Sequence, residues 1–358
     1  MTFVTTALRR IWPLPALLAL VVVFAEVAFT SSGSVTKGVV VVALINLTLV
    51  VGLYVFAGLS GVFTFGSIGF TAIGAYTAAL LVIPPDQKLV LQPLLPKFIA
   101  HAHFGAVLAT LIGGVVAALV AAVVSIPLMR LNGIAAGLAT FALLVIIYTV
   151  ANSWEQVTNG AAGISGVPQN VAPSLNVGLS WAALAIVCGF AFQSTALGLR
   201  LRGSREDEVA ARSLGVSVRF ERRVAWVASA FLMGIGGALY GEYLGSFNAS
   251  AFYLSLTFLT LAMLVVGGLK SLSGAVVGSL TISFVAELLH RIEQGVNLGL
   301  FHIPARPGLR EVGLAIIMLA ILILRPRGLT NGNELPWPRL PQRMRRVRGS
   351  DEVVRDPS

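Results

Sequence analysis

Gly198 to Arg223, GLRLRGSREDEVAARSLGVSVRFERR, form a charged island holding seven arginines between long apolar runs. The flanking runs are greasy enough for lipid, while the island has the composition of a helix kept in water. Ser204 is placed to cap that helix, and Arg205-Glu206-Asp207-Glu208 puts acids in its first turn, where the positive end of the helix dipole favours them. Val209 to Leu214 continue it. Gly215 ends it, because glycine readily takes the left-handed conformation that terminates helices. Val209, Leu214 and Val216 offer a small apolar face, with Arg205 and Arg212 extending outward. Two explanations fit such a loop: a rigid docking point that passes force from a protein partner to the spans, or a basic helix that only anchors topology.

The rest of the chain explains why the island stands out. Of 358 residues, 56% are hydrophobic and 11% charged, and the mean hydropathy is +0.88. Soluble domains carry about 25% charged residues, so the expected class is an all-α, polytopic integral membrane protein. The single cysteine, Cys188, excludes a disulfide framework and a cysteine metal cluster. The net charge of +10 clusters beside apolar runs, as membrane topology demands, and does not imply nucleic-acid binding.

About ten membrane-embedded segments are expected, at 11–29, 38–57, 61–82, 105–128, 133–152, 177–195, 223–243, 254–268, 274–290 and 310–325. The first is too long for a signal-peptide core and lacks a clean cleavage site, so an uncleaved span is expected. Segments 61–82, 254–268 and 274–290 are short or glycine-rich enough to be broken or re-entrant, and the last two are joined by a tight turn. With a cytoplasmic N-terminus, 19 of the 25 Lys and Arg fall on inner connections; Lys37, Lys88, Lys97, Arg291, Arg306 and Arg310 are the six outer ones. This bias places both termini and the island in the cytoplasm. The outer loop 151–174 (TNGAAGISGVPQN within it) is expected to be irregular, and the proline-bearing connection 83–103 to lie at the interface. The polar tail 328–358 is expected to be disordered.

Glycine density marks a second region. GLSGVFTFGSIGFTAIGAYTAALL, Gly58 to Leu81, carries Gly58, Gly61, Gly66, Gly69 and Gly74 in one membrane segment, with Ser67 among them. Such a run fits a helix bend or backbone lining a translocation path; the plainer alternative is close helix packing. Gly133/Gly137, Gly237/Gly241 and Gly274/Gly278 have small-xxx-small spacing and are expected to pack helices. Glu26, Glu242 and Glu287 are the acids near segment ends, open to an interfacial or an ion-coupling role. No phosphate-cradling loop, H-E-x-x-H or G-x-S-x-G motif occurs, so no covalent chemistry, resident cofactor or metal is expected.

Several of these stretches resemble one family. The Gly58–Leu81 run, TNGAAGISGVPQ (158–169), SREDEVAARSLGVSVRFERRVAWVASAFLMGIGGALYGEYLGSF (204–247), LAMLVVGGLKSLSGAVVGS (261–279) and RPRGL (325–329) are similar to the LivM-like permease subunits of branched-chain amino acid uptake systems of the ATP-binding-cassette class. The resemblance implies a permease domain over 37–327 with a coupling loop at 196–222, preceded by a tail and first helix (1–36) and followed by the basic tail (328–358). It implies that Glu208, Ala210, Ala211 and Gly215 engage an ATPase subunit, and Arg205 and Leu214 of the same island are expected to join that coupling contact. The implied partners are a second homologous permease, two ATPase subunits that use ATP and Mg, and a periplasmic or lipid-tethered binding protein, at the bacterial inner membrane. Similar permeases carry urea or amides, so the substrate stays open between these and amino acids. An ion-gradient-driven secondary transporter and a non-transporting membrane scaffold are the rival classes.

Overall fold

The computed structural model describes residues 12–30, 34–92, 95–131, 133–293, 308–325, 328–332 and 334, and apart from one isolated bridge its regular structure there is helical. Its helices are α1 (Pro13–Thr30), α2 (Ser34–Leu53, carried on by a π-helical turn Tyr54–Gly58), α3 (Ser67–Val82), α4 (Ala106–Leu128), α5 (Gly133–Ser153), α6 (Leu175–Ser194), α7 (Ala196–Glu206), α8 (Glu208–Ser213), α9 (Val218–Leu244), α10 (Leu254–Gly267), α11 (Leu272–Glu293) and α12 (Leu309–Leu324), with a few single turns between them. Each expected segment overlaps a helix. Seven of them, α2, α4, α5, α6, α9, α10 with its preceding turn, and α11, are long and apolar enough to cross a bilayer. The apolar runs of α1, α3 and α12 are shorter, so seven helices of full spanning length are found among the described residues.

Two expectations about broken segments resolve differently. Segment 274–290 is continuous within the 22-residue helix α11. Segment 61–82 is broken: residues 61–66 are not helical, and α3 begins only at Ser67. At 16 residues, α3 is about 24 Å long, short of a hydrocarbon core of about 30 Å.

Helix α9 is the centre of the fold, packed against α2, α3 and α4. Trp226 is fully buried there, with Phe56 edge-on at 4.8 Å and Phe70 at 5.4 Å. The helices approach so closely because side chains are missing at the crossings. A Cβ on Gly74 would lie 2.0 Å from the Gly234 carbonyl oxygen, and one on Gly237 would lie 2.0 Å from that of Thr71. Gly274 and Gly278 serve the α10–α11 contact in the same way. The expected pair Gly133/Gly137 does not: a Cβ at either position meets nothing within 4 Å. Helices α4, α5 and α6 leave most of their surface uncovered by this chain.

The loop 151–174 is mostly irregular, with only single helical turns. It is pinned by a reciprocal bridge between Ile164 and Phe247, 2.9 Å in both directions. In the connection 83–103, Pro85–Leu91 forms a short helix. Its Lys88 is buried and donates to the carbonyls of Ile99, at 3.3 Å, and Ala102; burial pushes its ammonium below the usual lysine range.

The expectation of disorder from 328 onward is narrowed. Leu329 and Thr330 donate backbone hydrogen bonds to Val266 and Gly267, because the end of α10 leaves those carbonyls without partners. Arg9, Arg10, His302, Arg306 and the tail beyond Glu334 lie outside the described residues.

Candidate functional site at the arginine-rich loop

The island folds as two helices, with the cap between them three residues later than the sequence suggests. The cap is Asp207, whose side chain accepts from the backbone N–H groups of Val209 and Ala210 at 2.9 Å. Ser204 is no cap: it is buried inside α7, and its hydroxyl donates to Leu201 O. At the other end Gly215 takes φ +80°. Val216 N–H then reaches Ala211 O and Gly215 N–H reaches Arg212 O, the paired bonds of a Schellman stop. A six-residue helix has little stability of its own, so both ends and its side-chain ties hold it.

The candidate coupling residues divide into two groups. Ala210, Leu214 and Gly215 are exposed, and so is Val209 beside them. Leu214 and Val209 show 84% and 79% of their surface, an apolar tip that nothing in this chain covers. Ala211 is buried, contrary to a role on the docking face. Arg205 is turned inward rather than out: its Nη1 donates to Gly58 O at 2.6 Å, and its other nitrogens bond Glu206. Glu208 ties the short helix down. One carboxylate oxygen takes Arg212, one turn on, and the other lies 3.0 Å from Arg222 of α9.

Further ties surround the loop. Glu206 bridges Arg205 to Lys270 in the α10–α11 turn at 3.2 Å; the hydrogen bond from Arg205, and then that from Lys270, hold its carboxyl below the usual carboxylate range. Arg202 donates to Tyr54 Oη at 2.8 Å and Gln193 Oε1 at 2.7 Å. It also faces the Glu334 carboxylate at 3.6 Å. Glu334 in turn caps α11 from 61 residues away, accepting from Leu272 N, Ser273 N and Ser273 Oγ. Sequence reasoning missed Arg202, Gln193, Tyr54 and Glu334, because no local spacing relates them.

The six glycine-run residues do not share one surface. Gly61, at φ +71°, borders a cavity of about 800 Å³ between the non-helical segment 61–66, α5 and the arginine-rich loop. Gly58 is buried beneath Tyr54. A Cβ on Gly66 would lie 2.6 Å from Thr140 O, and one on Gly69 would lie 2.5 Å from Ile147. Gly66, Ser67, Gly69 and Gly74 are buried, so they pack helices, while Gly58 and Gly61 mark the bend. Glu242 is also internal, accepting from Thr110 of α4 at 3.1 Å. Among the described residues, no three of His, Cys, Asp or Glu gather as a metal ion would require.

A polytopic bundle with a capped loop at its arginine-rich end is now matched by sequence comparison. Residues 35–323 match the family described as "Branched-chain amino acid transport system / permease component". The chain belongs to this family. It is similar to the high-affinity branched-chain amino acid transport system permease protein LivM of Escherichia coli (strain K12), with 27% identity over 334 residues, covering 82% of this chain and 70% of the relative. The corresponding LivM of Salmonella typhimurium is 26% identical over 346 residues, covering 87% and 74%. The probable permease protein LivH of Methanocaldococcus jannaschii is 27% identical over 147 residues, covering 41% and 43%. No solved structure matches the chain. Permease membership accounts for the multi-pass architecture. It leaves the cargo to be argued from the chain itself.

Proposed function

We propose that this chain is the membrane-spanning permease subunit of an ATP-binding-cassette importer that moves branched-chain or other amino acids across the bacterial inner membrane. Both termini and the arginine-rich loop face the cytoplasm, in keeping with the uneven spread of Lys and Arg. The observation that carries the proposal is the capped helix α8, closed by Asp207 and Gly215, with the uncovered apolar residues Val209 and Leu214 at its tip. A helix so short, held by an ion pair to α9 and by hydrogen bonds to α2 through its neighbour α7, transmits a push without bending. Its apolar tip fits a groove on an ATP-hydrolysing subunit, where α8 would be the contact through which nucleotide-driven motion reaches the spans.

The partners that complete this assembly are a second, homologous permease, two ATPase subunits and a binding protein that delivers substrate from the outer side. The uncovered faces of α4, α5 and α6 leave room for the second permease as well as lipid. The chain carries out no covalent chemistry; its work is alternating access. Glu242, the buried acid that favours an ion-coupled transporter, instead ties α4 to α9 through Thr110.

The test is reconstitution of the complete assembly in liposomes. Uptake that needs internal ATP and the ATPase subunits, and persists with proton and sodium gradients collapsed, is expected. Uptake that follows an ion gradient without ATP would refute the proposal. Competition for uptake among leucine, a polar amino acid, urea and acetamide then separates the substrate classes.

A further inference from the structure

The π-helical turn at the end of α2 is held at both ends by the loop after α6. Arg202 and Arg205 stand three residues apart, on one face of α7. Arg202 donates to the hydroxyl of Tyr54, the first residue of the turn. Arg205 donates to the carbonyl of Gly58, the last. Tyr54 reaches back through its hydroxyl to Gln193 at 2.7 Å. Only glycine fits at 58, because a Cβ there would lie 2.3 Å from the Tyr54 ring.

The turn also lies between two hydrogen-bonding registers. Leu59 N–H points at two carbonyls, those of Tyr54 and Phe56, five and three residues back. Two residues later the ordinary spacing returns, with Gly61 N–H bonded to Ala57 O at 3.0 Å. A π turn holds one residue more than the α-helix around it. Resolving it into α-helix rotates the downstream chain by about 100°, the angle of one residue in a 3.6-residue turn. Immediately downstream lies the non-helical segment 61–66, which lines the large cavity. Within the turn sits Phe56, packed against Trp226 at the centre of the fold.

We propose that Arg202 and Arg205 are positioning residues that couple movement of the arginine-rich loop to the register of the Tyr54–Gly58 turn, which is the hinge by which α2 and the segment 61–66 change the cavity. This rests on the proposed function, in which the loop receives the push of an ATPase subunit. The two arginines add the inward half of the path: α8 meets the partner, α7 carries the motion, and Gly58 O and Tyr54 Oη receive it.

The experiment uses the complete transporter with Arg205→Gln, Arg205→Lys and Tyr54→Phe, the last removing a single oxygen and leaving the buried ring in place. Expected for Arg205→Gln is normal insertion and co-purification of the ATPase subunits, with substrate moved per ATP down about tenfold, within the range for residues that carry coupling between sites. Tyr54→Phe lowers it less, and Arg205→Lys, which keeps a donor for Gly58 O, restores most of it. Spin labels at Phe63→Cys and Ile134→Cys, in a Cys188→Ala background, report the hinge without transport. Their separation shifts on ATP binding with native Arg205 and stays fixed in Arg205→Gln. Unchanged transport per ATP together with an unchanged label shift in Arg205→Gln overturns the linkage while leaving the proposed function standing. Failure of the native chain to bind any ATPase subunit overturns both.

Discussion

Glu208 and Arg222 face each other at 3.0 Å, and this pair fixes the short helix α8 to the central helix α9. Arg222 is only 8% exposed at its side chain, so the Glu208 carboxylate neutralises a guanidinium that water barely reaches. The pair is therefore a structural tie beneath the apolar tip of Val209 and Leu214 rather than part of the tip itself.

Reversing one charge tests this division. In Glu208→Arg, three guanidinium groups would crowd at residues 208, 212 and 222. Turning a largely buried ion pair into a like-charge contact costs about 3–5 kcal/mol, and partial exposure of Glu208 brings the expected loss down to about 1–3 kcal/mol. The loop should loosen while the spans stay inserted, and ATPase co-purification should fall. The double exchange Glu208→Arg with Arg222→Glu should recover part of it. A single variant that binds its partner normally would show that the tie is dispensable.

Gly215 offers a second, independent perturbation of the same helix. Its φ is +80°, yet a Cβ would meet nothing within 4 Å, so substitution acts through backbone strain alone. Gly215→Leu should cost about 1–2 kcal/mol and weaken ATP-coupled uptake. Gly215→Asn, a residue that tolerates the left-handed region, should retain more. Equal uptake in the two variants would contradict the Schellman stop as the determinant.

The glycines predict contrasting outcomes by position. Gly74→Ala forces a methyl against the Gly234 backbone, which cannot yield as a flexible side chain would. Overpacking of this kind costs about 1–3 kcal/mol or more. Gly137→Ala enters open space and should leave the isolated chain as stable as the native one. Thermal unfolding of the detergent-solubilised chain, scored for inserted protein, checks both. Comparable midpoints for the two variants would contradict the tight crossing of α3 and α9.

Glu334→Ala should remove a helix cap supplied from a distant part of the chain. Losing a capping carboxylate costs about 0.5–2 kcal/mol, and here Leu272 N, Ser273 N and Ser273 Oγ all lose an acceptor. Faster amide exchange at residues 272–274, with the rest of α11 protected, is the expected signature. Unchanged exchange there would mean the cap contributes nothing.

How much of the molecule is legible in the sequence depends on the range of the interaction. The apolar runs set the helices, and Gly215 announces its own stop, because both are properties of neighbouring residues. The cap is ambiguous because Ser204 and Asp207 are both competent cap residues; burial of Ser204 against Leu201 decides between them, and burial is a tertiary fact. Arg205 reads as pointing outward, since an arginine beside a helix start is usually solvated. Its inward turn depends on the carbonyl of Gly58, 147 residues away. Glycine density flags the bend at Gly58 and Gly61, but the same signal at Gly66, Gly69 and Gly74 reflects helix crossings, which spacing cannot distinguish from a pathway.

Photocrosslinking from the tip of α8 shows whether that tip touches an ATP-hydrolysing partner. A benzophenone amino acid placed at Leu214, 84% exposed in the chain alone, should form one dominant adduct with the ATPase subunit in intact membranes. The same probe at Ile134, equally exposed but on α5, should not. An adduct with the ATPase at Leu214 alone is the predicted result. Probes at Leu214 that reach only lipid, in a preparation where the ATPase subunits remain bound elsewhere, would show that the α8 tip is not the coupling contact.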